Sequence, residues 1–259
     1  CVIIDDVITS GRSLQDCIDC LKDKVNIIDV AVVMNRQQNP ILSLPFKSLI
    51  CKTDITKYKL QQIKTKKCSK LIYSADITNG DDILTMLQHI GTYIVACKIH
   101  LDIIKDANNE FITKLIDLSI VHDFLIIEDR KFNDISYIVD LQYKKFHNWV
   151  DMVTVHSLVT PDVIRCLSGA LVVANMSNND YDFEKKAIEL ATECPKHVMG
   201  FITQHRIIHG DTISMTPGVH LQKQHVDDQK YRTIDDVDAD YFIVGRAITQ
   251  CHPDDLLKT

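Results

Sequence analysis

Apolar and polar positions alternate in two ways along the chain from residue 71 onward. Short apolar runs of strand length, bounded by polar turn residues, are separated by longer segments with the period of an amphipathic helix. Eight strands are predicted, at residues 71–77, 93–99, 124–127, 152–156, 170–174, 197–202, 213–215 and 241–244. Helices are predicted between them at residues 81–89, 110–121, 136–149, 161–167 and 183–192.

This alternation of strands and helices is typical of parallel α/β folds, in which each helix returns the chain to the start of the next strand. Eight strands between residues 71 and 244 fit a (β/α)8 TIM barrel better than an open sheet, because right-handed crossovers close the sheet at that number. In such a barrel, residues at the carboxyl ends of the strands form the functional face.

The first 70 residues have a different pattern. The predicted elements are a strand, a polar loop, a helix and two further strands, at residues 1–4, 5–13, 14–24, 27–34 and 48–51. A lysine-rich helix is predicted at residues 52–70. We therefore divide the chain into an N-terminal α/β fragment at 1–52, a linker with a leading helix at 53–70 and the barrel at 71–259.

The composition is that of an ordinary globular protein, with 46% hydrophobic and 25% charged residues. A net charge of −6 argues against nucleic acid as a partner, although a phosphorylated small molecule needs only a few local cations. We see no membrane-length apolar run and no secretory leader, so we predict no membrane partner and a cytoplasmic location. Because Cys1 opens the chain inside an apolar run, we expect a fragment.

The nine cysteines are odd in number and spread through predicted strands and helices, which is typical of reduced thiols rather than a disulfide framework. Cys17 and Cys20 form a CxxC pair on a predicted helix, with neither a second pair nor a histidine beside it. We therefore favour a structural role for this pair over metal or redox use.

Residues 127–135, which read Ile-Glu-Asp-Arg-Lys-Phe-Asn-Asp-Ile, are the most informative stretch for function. The apolar run before them predicts a buried strand, and strand alternation puts Asp129 and Lys131 on one face, with Asp134 in the following loop. In isolation such charges are more often a structural ion pair. Other polar or special residues also follow predicted strands at the same rim, namely Asp76, Lys98, His100, Ser177, Pro217 and Arg246.

In this setting the D-x-K-x-x-D-I pattern resembles the active-site motif of the orotidine 5'-monophosphate decarboxylases. The resemblance covers about residues 70–250 and includes Lys-Ile-His-Leu-Asp at 98–102, Met-Thr-Pro-Gly at 215–218 and Val-Gly-Arg at 244–246. It implies a (β/α)8 barrel that decarboxylates a nucleotide in de novo pyrimidine synthesis without a cofactor or metal. It also implies a homodimer whose subunits share their active sites.

The resemblance implies that Lys98, Asp129, Lys131 and Asp134 form an alternating charged array, with Asp134 supplied by the second subunit. Lys131 would donate the proton to the carbanion at C6 of the pyrimidine. A lysine suits this task because neighbouring carboxylates keep it protonated, and the ammonium stabilises the developing negative charge.

Substrate-binding roles follow from the same resemblance. Arg246, Gln229 and Tyr231 would bind the phosphate, Asp76 the ribose and Ser177 the pyrimidine. The remaining implied contacts are Ile135, Pro217 and Gly245. His100 and His156, by contrast, are interpreted as rim or core histidines with satisfied hydrogen bonds rather than as catalytic residues.

Residues 5–13 resemble the phosphoribosyl diphosphate motif of type I phosphoribosyltransferases. A turn of small residues before a helix offers N–H groups to a phosphate, although a capped helix after an acidic strand end explains the stretch equally well. By resemblance, Asp5 and Asp6 contact ribose, and Mg²⁺ is the cofactor if the domain is complete. The implied phosphate contacts are Thr9, Ser10, Gly11 and Ser13.

The order of the two motifs resembles that of the bifunctional uridine 5'-monophosphate synthases, in which an orotate phosphoribosyltransferase precedes the decarboxylase. The fragment at residues 1–52 would be only the tail of the transferase, so we expect no transferase activity from this chain alone.

Three features depart from the family pattern. Ile138 stands where the family has a threonine that reaches the neighbouring subunit's ribose, the loop at 178–182 is short, and the last helix at 248–259 looks truncated. Three alternatives stay open: a non-catalytic nucleotide-binding barrel, orotate phosphoribosyltransferase as the main activity of a longer protein, and a Mg²⁺-dependent sugar-phosphate decarboxylase.

Overall fold

The computed structural model describes residues 2–27, 29–35, 42, 46–177, 181–220, 224–226 and 229–251. The chain divides into two compact units, Cys1–Thr56 and Lys57–Thr259. This division falls inside one helix, α2 (Lys52–Lys67), a few residues after the boundary that the sequence predicts.

The first unit contains a parallel sheet with the strand order β1-β2-β3, formed by β1 (Val2–Ile8), β2 (Asp29–Asn35) and β3 (Phe46–Ile50). The sequence predicts that the first strand ends at residue 4, but pairing with β2 continues to Ile8, so Asp5 and Asp6 lie within β1. Apolar side chains on the two sides of these acidic residues make the longer strand possible.

One helix, α1 (Arg12–Leu21), covers a face of this sheet. Its buried residues Leu14 and Ile18 are four positions apart and pack with Val30 and Val32 of β2. The residue before the helix is Gly11, whose φ of 80° lies in the left-handed region that glycine adopts without strain.

The second unit is a closed barrel of eight parallel strands, which confirms the predicted (β/α)8 architecture. The order around the barrel is β10-β13-β4-β5-β6-β7-β8-β9. These strands are β4 (Leu71–Ser74), β5 (Ala96–Ile99), β6 (Leu125–Phe132), β7 (Met152–His156), β8 (Ala170–Val173), β9 (Val198–Ile202), β10 (Ile213–Pro217) and β13 (Tyr241–Val244). The chain between β10 and β13 forms an antiparallel hairpin of β11 (Gln224–Val226) and β12 (Gln229–Tyr231).

Helices connect the barrel strands: α3 (Gly80–Ile90), α4 (Asn109–His122), α5 (Ser136–Tyr143), α6 (Pro161–Arg165) and α7 (Glu184–Glu193). The short helix α8 (Arg246–Thr249) follows the last strand. Asn79 and Asn108 precede α3 and α4, and each side chain accepts a backbone N–H of the first turn, as N-cap asparagines do. The helix predicted at 136–149 ends at Tyr143, because hydrogen bonds such as Phe146 N–H to Tyr143 O close turns instead.

Apolar side chains fill the barrel interior, including Ile72, Ile127 and Met215. Helix α2 adds Leu60 and Ile63 to this core, and its Lys64 ammonium lies 5.0 Å from the ring centre of Tyr241, the first residue of β13. Because Tyr241 begins its strand, α2 covers the amino end of the barrel. The carboxyl end is thereby left as the open face.

Strand β6 is longer than predicted and is interrupted by a bulge. Glu128 pairs with Val153 of β7, but the next paired residues are Phe132 and Val155, so residues 129–131 lie opposite Thr154 alone. Lys131 has a φ of 49°, in the left-handed region that residues other than glycine rarely adopt.

Candidate active site at the carboxyl end of the barrel

A cavity of about 260 Å³ opens at the carboxyl end of the barrel. Its lining comes from the ends of β4, β5, β6, β8, β9, β10 and β13 and from the segments that follow them. Nine of the residues to which the sequence assigns a catalytic or substrate-binding role line it together: Asp76, Lys98, Asp129, Lys131, Ser177, Pro217, Tyr231, Gly245 and Arg246.

Asp129 is the centre of the polar contacts in this cavity. It is only 6% exposed, and the Lys98 ammonium lies 2.5 Å from its Oδ2. On the other carboxylate oxygen, Oδ1 accepts hydrogen bonds from Lys131 Nζ at 2.9 Å and Thr154 Oγ1 at 2.7 Å. His100 Nε2 lies 3.3 Å from Oδ2. The carboxylate is therefore held from both sides.

These contacts keep Asp129 and Lys98 ionised. Burial alone would raise the pKa of Asp129, but Lys98, His100 and Lys131 hold it well below its usual range. Burial would likewise lower the pKa of Lys98, yet Asp129 and Asp76 outweigh burial and raise it above its ordinary value. Each group thus stabilises the charged form of the other, and the cavity has fixed charges of both signs.

Asp76 is a second acidic residue in contact with Lys98. Its Oδ1 lies 3.4 Å from Lys98 Nζ, and both of its oxygens accept from Ser74 Oγ at 2.9 Å. Strand β4 ends at Ser74, and the two residues that follow carry Asp76 to the cavity. Together the side chains of Asp76, Lys98, Asp129 and Lys131 form a row of ion pairs in which the sign of the charge alternates.

On one wall of the cavity, Arg246 and Gly245 follow β13, which is three strands from β6 around the barrel. Tyr231, at the end of β12, also lines the cavity. Gln229 begins the same strand, but its side chain lies outside the described part of the chain. This wall therefore offers a guanidinium and a phenol to a ligand whose other end reaches Lys131.

Asp134 and Ile135, which the sequence also singles out, do not line the cavity of their own chain. Both are exposed, and the carboxylate of Asp134 accepts the N–H of Ile135 at 2.7 Å.

Several polar residues of the site are absent from the sequence-based set. Ser74 and Asn175 line the cavity, and Thr154 contacts Asp129 from behind it. His100, which the sequence places at the rim two positions after Lys98, also lines the cavity. Its Nε2 lies 3.3 Å from Asp129 Oδ2, so the ring has a polar partner at the rim. His156 does not line the cavity, and its ring packs edge-on against Phe183.

The N-terminal residues singled out in the sequence lie in the first unit. Asp5 Oδ1 accepts the N–H of Asp6 at 3.0 Å, and Asp6 Oδ1 accepts the N–H of Val7 at 2.7 Å. Thr9, Ser10 and Gly11 form the turn before α1, and Ser13 lies in the first helical turn. Ser10 Oγ accepts the N–H of Arg12 at 3.4 Å. Because Asp5 and Asp6 are consecutive residues of β1, their side chains lie on opposite faces of the sheet, and each offers carboxylate oxygens on its own face only.

Within the described ranges, no group of three or more His, Cys, Asp and Glu side chains is arranged to hold a metal ion. The helices of the described chain include none that is both long and apolar enough to cross a membrane.

The closed barrel with a charged cavity at its carboxyl end is the architecture of a TIM-barrel enzyme. The model of the orotidine 5'-phosphate decarboxylase / HUMPS family matches residues 69–255, and the chain belongs to that family.

Two curated relatives give the scale of the similarity. The chain is 34% identical over 217 residues to uridine 5'-monophosphate synthase of Caenorhabditis elegans, a match that covers 74% of this chain and 44% of the relative. It is 34% identical over 218 residues to orotidine 5'-phosphate decarboxylase of Pichia kudriavzevii, covering 73% of this chain and 83% of the relative. The chain thus spans less than half of the worm synthase.

Solved structures share the fold. The orotidine 5'-monophosphate decarboxylase of Methanocaldococcus jannaschii, complexed with the inhibitor BMP, superposes with a TM-score of 0.55 at 20% identity, covering 73% of this chain and 95% of that one. The orotidine 5'-phosphate decarboxylase of Pyrococcus horikoshii gives a TM-score of 0.56 at 22% identity, with the same two coverages.

Proposed function

We propose that the barrel decarboxylates orotidine 5'-monophosphate to uridine 5'-monophosphate, without a cofactor, in de novo pyrimidine synthesis. The observation that carries this proposal is the position of the Lys131 ammonium, 2.9 Å from the buried Asp129 carboxylate in the cavity that Arg246 also lines. Family membership supports the same reaction.

The reaction breaks the bond between C6 and the carboxylate, releases carbon dioxide and leaves the electron pair at C6. No carbonyl adjacent to C6 delocalises this pair, so the protein must stabilise it electrostatically. Lys131 provides a positive charge for the carbanion and then transfers a proton from Nζ to C6. Asp129 orients Lys131 and faces the leaving carboxylate, while Lys98 balances the charge of Asp129.

Binding of the rest of the nucleotide holds the pyrimidine against these charges. In our assignment Arg246, Tyr231 and Gln229 bind the 5'-phosphate, because a guanidinium suits a phosphate and Arg246 and Tyr231 both line the cavity. Asp76 accepts a ribose hydroxyl. The base contacts are Ser177 and Pro217, and Gly245 lets the phosphate approach the backbone.

We further propose a homodimer in which Asp134 and Ile135 enter the partner's site. Ile135 is 66% exposed and does not line the cavity of its own chain. Tyr137 and Leu141 of the following helix are also exposed, so apolar side chains continue across this surface. A symmetric contact here would cover them and bring each Asp134 towards a partner's charged array.

Turnover of purified protein tests the assignment. We expect release of carbon dioxide and formation of uridine 5'-monophosphate, and a loss of turnover in Lys131→Ala of at least about a thousandfold, because the proton donor and the cation are removed together. The control is Lys114→Ala, which removes an exposed lysine paired with Glu110 on α4 and should act like the wild type. A protein that binds the product but does not turn over the substrate would instead be the non-catalytic barrel.

For the whole chain we propose a transferase-like fragment at 1–52, a linker at 53–70 and the decarboxylase barrel at 71–259, as parts of a bifunctional, cytoplasmic synthase. By the resemblance, Asp5 and Asp6 would contact the ribose, and Thr9, Ser10, Gly11 and Ser13 would bind the phosphate, with Mg²⁺ as the cofactor of a complete transferase domain. Orotate consumption by this chain alone would contradict that division.

A further inference from the structure

One buried hydroxyl connects the two central charges of the site. Thr154 of β7 is 1% exposed, and its Oγ1 donates to Asp129 Oδ1 at 2.7 Å while accepting the backbone N–H of Lys131 at 2.8 Å. Thr154 does not line the cavity, so it does not reach a bound nucleotide directly. Any influence on the reaction must therefore pass through Asp129 and Lys131.

The bulge in β6 explains why this contact is required. Residues 129–131 lie opposite Thr154 alone, so the regular main-chain pairing between β6 and β7 is interrupted there. Without another acceptor the partly buried Lys131 N–H would have no partner, which is unfavourable. The hydroxyl of Thr154 takes the place of the missing main-chain acceptor and holds Lys131 in its left-handed conformation, with a φ of 49°.

The same hydroxyl fixes the carboxylate. Asp129 Oδ1 accepts from both Thr154 Oγ1 and Lys131 Nζ, so the plane of the carboxylate and the direction of the ammonium are set together. We propose that Thr154 is a positioning residue for the decarboxylation, which aims the Lys131 ammonium by holding the Lys131 backbone and the Asp129 carboxylate at once. This inference rests on the proposed function, since it assigns Thr154 a role in that reaction.

The variant that tests the proposal is Thr154→Val, which keeps the shape of the side chain and removes the hydroxyl. We expect kcat to fall about 10- to 100-fold, the effect of losing one buried hydrogen bond to a charged group. KM should stay within about twofold, because phosphate and ribose contacts are made by other residues. Thr154→Ser, which retains the hydroxyl, should recover most of kcat.

Thr216→Val is the matched control. Thr216 is a fully buried threonine of β10, and among the described residues its Oγ1 has no hydrogen-bond partner. The same substitution there removes a hydroxyl from a barrel strand without releasing a charged group. Equal losses of kcat in the Thr154 and Thr216 variants, or a rise in KM in place of the fall in kcat, would overturn the proposal.

A second readout does not depend on turnover. Hydrogen exchange of the Lys131 amide should be slow in the wild type and faster in Thr154→Val, while the Ile127 amide in the same strand keeps its rate. If the wild type shows no decarboxylation, the proposed function fails. The exchange rates then decide whether Thr154 holds the Lys131 backbone, and an unchanged rate in Thr154→Val would reject that contact. Should Thr154→Val not fold, Thr154→Ala is compared with Thr216→Ala in both measurements.

Discussion

Two adjacent carboxyl groups in β6 show how strongly local partners decide ionisation. Asp129 faces Lys98 and Lys131 and stays ionised, as the lowered pKa shows. Glu128 is fully buried on the other side of the strand, where burial first, and then Asp102 and Asp129, raise its pKa to about 8. The N–H of Leu101 and the charge of Arg130 oppose this rise only in part. One carboxyl group is thus a fixed charge, and its neighbour is a neutral acid near pH 7.

The free energy of unfolding should therefore depend on pH through Glu128. The ordinary pKa of 4.5 applies to the unfolded chain and about 8 to the folded one. Between these values the folded protein retains a proton that the unfolded chain has released, so stability falls as pH rises from about 4.5 to 8, by at most about 4–5 kcal/mol.

Glu128→Gln removes this titration, and denaturant unfolding at pH 5 and pH 8 measures the result. The loss of stability between the two pH values should be smaller in the variant than in the wild type by a few kcal/mol. Glu110→Gln, which changes an exposed glutamate on α4, serves as the control and should keep the wild-type pH dependence. An unchanged slope in Glu128→Gln would show that Glu128 ionises normally.

At the scale of elements, the strands follow from the apolar runs, and all eight barrel strands lie where the pattern predicts them, six of them with shifted ends. The bulge in β6 does not follow from the pattern. Strict alternation already puts Asp129 and Lys131 on one face, so nothing in the sequence signals that residues 129–131 oppose one residue of β7. Thr154 was missed for that reason, because its role depends on the register between two strands.

The helix that covers the amino end of the barrel gives a test at this scale. Leu60 of α2 is 1% exposed and packs into the barrel interior with Ile63. Leu60→Ala should lower the free energy of unfolding by about 2–5 kcal/mol, because it removes buried methyl groups and leaves a cavity. Gln61→Ala, at the exposed neighbouring position, should change stability by less than about 0.5 kcal/mol in the same denaturant titration. Similar values for both variants would contradict the packing of α2.

At the scale of the whole molecule, the proposed dimer would add Asp134 of one chain to the site of the other. One chain brings Asp76, Lys98, Asp129 and Lys131 together around its cavity. Asp134, the further acidic residue implied by the motif, is exposed outside that cavity. The sequence motif predicts which residues belong to the site. It does not predict which subunit supplies each residue, because that depends on how the chains assemble.

Mixing two inactive variants tests whether the sites are shared. Lys131→Ala and Asp134→Ala should each lack turnover as purified dimers. After subunit exchange, half of the dimers contain one chain of each kind. In each mixed dimer, one of the two sites combines an intact Lys131 with an intact Asp134. Turnover should therefore recover to about a quarter of the wild-type value. Size-exclusion chromatography with light scattering verifies the dimer, and a mixture that stays inactive despite exchange would refute shared sites.

The left-handed backbone at Lys131 also bears on how this barrel changes over generations. A residue with a β-carbon is disfavoured there by about 1–2 kcal/mol, whereas glycine adopts the conformation freely. A lineage no longer selected for the ammonium group would become more stable by substituting glycine at this point. A glycine at position 131 in a related sequence would therefore indicate a barrel that has kept its fold but no longer carries out the reaction.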